Sequence, residues 1–259
     1  MHSRNFLPLL LLPFVISSSP QHIFSNPVST SLEQSLQIPT SYESAVLARR
    51  VLHLTALGTL STIFPQSSSH GLEDRPANVG STPVGLMDYI ADCEMMGDPT
   101  ILAIGIGTSF KNVAAGSNIS LSLQWTPPYP PKSRISLSSL FTRDKPTGTL
   151  PYSAANLPRF SLIGHLESIS EEDIQSQNIG KCYTDVHPDA KYWLPGNPIH
   201  KSEWTRFVVE EVYWIGGFGD RAYIGWIPVE EWKNVTRKEL EEIRLPGEKK
   251  GWKEWSLEL

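Results

Sequence analysis

Apolar and polar positions alternate along much of the middle of the chain. Residues 118–125 (NISLSLQW) are the clearest case: Ile119, Leu121, Leu123 and Trp125 alternate with Asn118, Ser120, Ser122 and Gln124. A period of two is what a strand with one buried face requires. Residues 57–64 (LGTLSTIF), 84–92 (VGLMDYIAD), 100–108 (TILAIGIGT) and 160–167 (FSLIGHLE) read as four more strands. Gly97-Asp98-Pro99 marks the turn between the second and third of these. A long strand follows over 205–215. Residues 221–226 are its hairpin partner across Gly216-Gly217-Phe218-Gly219, where glycine supplies positive φ at no steric cost.

Helical signals sit between and around these strands. Thr40 and Glu43 make a T-x-x-E capping box for a first helix, with Leu47, Val51 and Leu54 on one face and Arg49 and Arg50 pointing elsewhere. Residues 109–115 read as a short helix, Ser170 with Asp173 caps another, and 183–198 reads as a short helix ending in turns. Pro228 at a first helical position, followed by Glu230 and Glu231, opens a last one. Six or seven strands in antiparallel-looking succession with peripheral helices predict a mainly β barrel rather than a doubly wound sheet.

The ends and the longest connection differ in composition. Residues 6–16 (FLPLLLLPFVI) form an apolar run behind His2 and Arg4, with Ser17, Ser18 and Ser19 after it. This is the layout of a secretory signal peptide over 1–19, too short to span a bilayer comfortably. Residues 20–39, rich in Ser, Pro, Gln and Asn, read as a flexible lead-in. The barrel domain is expected over 40–235, with a proline-rich insertion at 126–158 that holds seven prolines, and 236–259 reads as a charged, peripheral tail. The sequons Asn118-Ile119-Ser120 and Asn234-Val235-Thr236 agree with a secreted or endolysosomal glycoprotein without stable membrane insertion. A formal net charge of −5 provides no broad basic field, which argues against nucleic acid as a partner.

Candidate chemistry is sparse. Gly107-Thr108-Ser109-Phe110-Lys111-Asn112 places two hydroxyls and an ammonium where a strand ends and a helix begins, which suits a phosphate monoester. An ordinary N-cap by Thr108 or Ser109, with Lys111 in solvent, explains the same residues. The GGFG turn is not a GxGxxG. The seven histidines form no HxxxH or HxH pair, so no zinc site is expected. No G-x-S-x-G or Cys-His signature is present. Glu210 and Glu211 fall on opposite faces of a regular strand, which does not suit a carboxylate dyad. Cys93 and Cys182 lack CxxC spacing, and a disulfide between them and two buried thiols stand as equal readings.

The order of several segments carries a resemblance. These are ARRVLH (48–53), GTLST (58–62), ILAIGIGTSFKNVAAGSNISLSLQW (101–125), RFSLIGHLESI (159–169), the His187-Pro188 helix and VVEEVYWIGGFG (208–219). Together they resemble the FMN-binding split-barrel superfamily, to which pyridoxamine 5′-phosphate oxidases belong, and within it the secreted CREG glycoproteins. The resemblance runs over roughly 44–234. It implies a six-stranded antiparallel split β-barrel that forms a homodimer, with the flavin site between two subunits. In flavin-binding members the FMN phosphate is held after the third strand, which corresponds here to Thr108, Ser109, Lys111 and Asn112. The arginine-rich signature of the oxidases is incomplete in this chain, which puts substrate oxidation in doubt, and the resemblance to CREG proteins implies the fold with flavin binding lost.

Three readings follow from the resemblance. The first is a CREG-like glycoprotein that binds a ligand, with FMN as one candidate, or a protein partner without catalysis. The second is an FMN-dependent oxidoreductase in which the cofactor carries the redox chemistry. The third is a haem-handling protein, since haem-utilisation relatives of this fold end in a similar W-x-GGFG segment, with His187 as an axial ligand.

Overall fold

The computed structural model describes residues 38–66, 75–129 and 154–250. The expected signal peptide, nearly all of the lead-in and most of the proline-rich insertion lie outside the described residues.

The first helix, α1 (Ser41–Leu54), starts where the capping box predicts: the Thr40 side chain accepts from the Glu43 amide, and Glu43 accepts from the Thr40 amide. Such caps are worth about 0.5–2 kcal/mol each. Among the described residues, seven strands follow in chain order with helices between them. They are β1 (Leu57–Ile63), β2 (Pro83–Tyr89), β3 (Thr100–Ile104), β4 (Ile119–Gln124), β5 (Arg159–Ser168), β6 (Ser202–Ile215) and β7 (Ile224–Ile227). The intervening helices are α2 (Thr108–Ala114), α3 (Glu171–Ser176) and α4 (Ile179–Val186); α5 (Val229–Asn234) and α6 (Arg237–Glu242) follow β7.

All pairings are antiparallel, and the sheet runs β2-β1-β4-β5-β6-β3 with β7 added on β6. The six-strand path is the predicted split barrel. The fourteen residues of β6 explain the split: on one edge β6 pairs with β3 through Ser202–Arg206 and with β7 through Val212–Ile215. The path ends, β2 and β3, lean together through a single bridge between Ala91 and Thr100.

Inside the curl, Leu60, Leu121, Leu162, Phe207, Val209, Val212 and Trp214 form one buried cluster with Ala45, Ala48, Val51 and Leu52 of α1 and Trp232 of α5. A smaller cluster at the side joins Leu102, Ile169, Ile179, Tyr183 and Trp204.

Three expectations are corrected. Arg49 and Arg50 do not point away from the core; both are buried. Arg49 lies 3.7 Å from Asp92, donates to the carbonyls of Trp232 and Met95, and sits over the Trp232 ring. Arg50 pairs with Glu248 and donates to the Leu240 carbonyl. The tail is not peripheral through its described part, because Leu240 and Leu245 are buried and the Trp125 indole donates to Pro246. Glu210 and Glu211 do not divide between the faces. A β-bulge at Ile163/Gly164 leaves Glu210 without a register partner, so both glutamates are exposed and the buried series shifts from Phe207 and Val209 to Val212 and Trp214. Gly164 permits the bulge, since a Cβ there would fall 1.9 Å from the Val208 carbonyl oxygen.

Candidate functional site

Cross-strand register builds a continuous row on the outer face of the sheet. Met87 of β2 stands opposite Thr59 of β1, Thr59 opposite Ser122 of β4, Ser122 opposite Ser161 of β5, Ser161 opposite Tyr213 of β6, and Tyr213 opposite Trp226 of β7. The middle is polar and small, with the Ser122 and Ser161 hydroxyls 3.1 Å apart in a hydrogen bond. The ends are large and apolar: Met87 is 75% exposed, Trp226 56%, and the Tyr213 and Trp226 rings lie 5.1 Å apart. A neighbouring row runs Gln124, Arg159, Ile215 and Ile224.

Between these rows lies an open groove of about 410 Å3, floored by Leu123 and Phe160 and edged by Leu57 and Met87. Arg159 stands at one end, where it donates to the carbonyls of Ala155 and Leu157. Arg159 and Tyr213 are the titratable groups of the lining; the rest is apolar, hydroxyl or amide.

The residues singled out for an FMN phosphate fall together on α2 but face different ways. Ser109 and Asn112 are buried, and the Asn112 amide donates to the Thr62 hydroxyl on the inner side of β1 at 3.0 Å. Thr108 is half-buried and Lys111 exposed. The helix is capped by Gly107 without a side-chain hydrogen bond, so neither Thr108 nor Ser109 is the N-cap. Of the four, Ser109 and Asn112 point into the fold, and Thr108 and Lys111 lie nearer its surface. They also lie apart from the groove lining, which α2 does not enter.

His187 does not offer an open ligand position. It is buried, its Nε2 donates to the Ile90 carbonyl at 2.9 Å, and its ring stacks on Tyr89 at 4.2 Å. Among the described residues no group of three or more His, Cys, Asp or Glu is arranged to hold a metal ion. Cys93 and Cys182 are joined by a disulfide that ties α4 to the segment after β2. Asn118 is exposed in the turn before β4, and Asn234 is exposed at the last position of α5. No helix among the described residues is long and apolar enough to cross a membrane.

A second charged centre surrounds Arg206 of β6. Its guanidinium lies 2.9 Å from Glu94, 2.9 Å from Asp173 and 3.3 Å from Glu167. Burial pushes the Glu94 carboxyl above its ordinary range despite the nearby guanidinium, whereas the Arg206 hydrogen bond holds Asp173 below its own.

The family model described as CREG, beta-barrel matches residues 39–234. The chain belongs to the CREG β-barrel family. The matched span runs from just before α1 to the end of α5. No curated protein matches the chain. Among solved structures, one is matched over 77% of this chain and its own whole length, at 16% identity and a TM-score of 0.51. The heme binding protein from Mycobacterium smegmatis is matched at 15% identity over 75% of this chain, with a TM-score of 0.49. The Agrobacterium tumefaciens protein Atu2129 is 21% identical over 78% of this chain, with a TM-score of 0.45. This CREG-family chain spans 60% and 62% of the lengths of those two proteins.

Sequence reasoning missed Met87, Tyr213 and Trp226. The signal was present in the strand patterns, since each occupies an outward position where a polar side chain is the ordinary choice.

Proposed function

We propose that the protein is a secreted, homodimeric CREG-type glycoprotein that holds a flat ligand or a protein partner on its outer sheet face without turning it over. The observation that carries this reading is the outer row, with apolar Met87, Tyr213 and Trp226 at its ends and three hydroxyls between them. Large apolar side chains gathered on one open face mark a surface that another body covers. A second copy of the chain is the partner assigned here, and it would close the groove from above. Among the described residues the lining holds no carboxylate and no imidazole, which suits holding a ligand better than moving protons. The disulfide and the exposed sequon residues Asn118 and Asn234 support passage through an oxidising, glycosylating compartment.

An absorption spectrum of protein secreted from a eukaryotic host, before and after adding FMN, tests the ligand. A flat spectrum with no uptake leaves the non-catalytic reading, with a protein partner rather than FMN on the outer face. Flavin bands would make the oxidoreductase reading primary, and Lys111→Ala then reports whether α2 holds the phosphate. Sedimentation velocity tests the partner, and a pure monomer at micromolar concentration removes the shared groove. Glycosidase treatment is expected to lower the mass of the secreted protein, an effect lost in Asn118→Gln with Asn234→Gln; absence of any shift overturns the glycoprotein assignment.

A further inference from the structure

One imidazole nitrogen is claimed by two partners that ask opposite things of it. His53 stands in the last turn of α1, between Asp92 of the segment after β2 and Arg237, the first residue of α6. Its Nδ1 lies 3.0 Å from Asp92 Oδ2 and 3.2 Å from Arg237 Nη1. A carboxylate needs an N–H at that position, whereas a guanidinium needs the lone pair. No single protonation state of Nδ1 satisfies both.

The two claims differ in weight. The Asp92 side chain is 1% exposed, and its Oδ1 has no hydrogen-bond partner among the described residues. Arg49 and Arg237 each stand 3.7 Å from this carboxylate, beyond hydrogen-bond range, and act on it as charges. His53 therefore supplies the hydrogen bond at Oδ2 that a buried carboxylate loses only at high cost. Arg237, by contrast, is 45% exposed and has water to turn to.

The other charges around the ring are engaged elsewhere. On α1, Arg50 is paired with Glu248, and Arg49 donates to the Trp232 and Met95 carbonyls. Asp98, the second carboxylate that acts on Arg49, accepts from the Val209 amide. With a neutral ring, Arg49, Arg237 and Asp92 sum to a single positive charge. A protonated ring raises that sum to two, with the new charge beside Arg237. Imidazole is the side chain whose charge ordinarily changes between about pH 5 and 8.

We infer that His53 is a proton-operated switch that releases Arg237 in acid and so unfastens the start of α6 from the end of α1. In one of its two neutral tautomers the ring offers Arg237 the Nδ1 lone pair. The protonated ring carries N–H on both nitrogens, donates to Asp92 alone, and repels the guanidinium into water. The change stays local, because the Tyr42 hydroxyl still donates to Glu239 and Leu240 remains buried. None of the three switch residues lines the outer groove, so the switch is independent of what that face binds.

Thermal unfolding of the full secreted chain at about pH 7.5 and about pH 5 tests the switch. Arg237→Gln, at an exposed position, is expected to lower Tm by about 1–3 °C at the higher pH and to leave it unchanged or raise it at the lower. Glutamine in place of His53 carries its donor and acceptor on separate atoms and takes no charge. In His53→Gln, Arg237→Gln is therefore expected to have the same effect at both pH values. Nitrogen NMR of the unsubstituted chain needs no variant: the Arg237 guanidinium signal is expected to shift in step with protonation of the His53 ring. An equal Arg237→Gln effect at both pH values, the same pH dependence in His53→Gln, or an Arg237 signal indifferent to the His53 ring would overturn the switch.

Discussion

The two faces of the sheet differ at every step along neighbouring residues of the same strands. The outer row reads Met87, Thr59, Ser122, Ser161, Tyr213 and Trp226. The row beside it, one residue away on each strand, reads Leu86, Leu60, Leu121, Leu162, Val212 and Ile227, in register across the same six strands. From Leu60 to Ile227 the inner row is buried beneath α1 and α5. The outer row has small hydroxyls at its centre and exposed apolar groups at its ends. One backbone therefore serves two purposes, because successive side chains of a strand leave on opposite sides. The inner side holds the fold together, and the outer side is the face for which we propose recognition.

The contrast is open to attack, beginning with the strongest expected effect. Asp92→Asn leaves Arg49 buried without its carboxylate and is expected to cost about 3–5 kcal/mol, read as a fall in the denaturant midpoint. An unchanged midpoint would mean that the Trp232 and Met95 carbonyls satisfy Arg49 alone. Leu121→Ala, on the inner row, is expected to cost about 2–5 kcal/mol. Its neighbour Ser122→Ala, on the outer row, is expected to cost about 1 kcal/mol or less. Similar losses at the two positions would end the distinction between the faces.

If the outer face is the proposed dimer interface, Tyr213→Ser with Trp226→Ser is expected to leave stability nearly unchanged and to sediment as a monomer. A dimer that persists in this variant places the interface elsewhere. The smallest effect concerns Glu94. Because burial raises its carboxyl in the fold, the folded protein keeps that proton to a higher pH than the unfolded chain does. Its contribution to stability is therefore fullest below the ordinary carboxylate range and declines as pH rises through the raised value. Glu94→Gln is expected to flatten that part of the Tm-against-pH profile, and an identical profile in both proteins contradicts it. Asp173, held low by Arg206, acts in the opposite sense: its contribution is lost as pH falls below the ordinary range.

Strand positions were legible because alternation is a local property. The pattern of 118–125 gives the buried series Ile119, Leu121 and Leu123 directly. The Thr40–Glu43 capping box was legible for the same reason, since donor and acceptor lie three residues apart, whereas the matching box at Thr236 and Glu239 was not read. Long-range partners were not. Arg49 reads as a solvated charge until Asp92, 43 residues away, is folded against it. Glu210 reads as inward or outward by simple parity until the bulge opposite Gly164 resets the count. That the Asn112 amide reaches the Thr62 hydroxyl, 50 residues away, is likewise invisible in the local pattern.

The sequence by itself determined a mainly β chain, the order of its strands, the caps of its first helix and its kinship with the CREG family. These rest on periodicity, on contacts within one turn and on the order of segments. Tertiary structure decided which charges are buried, that Cys93 meets Cys182 across 89 residues, and that Met87, Tyr213 and Trp226 share one exposed face. Each of these depends on strand register and on which distant segments close over which face, and no local stretch of residues encodes either.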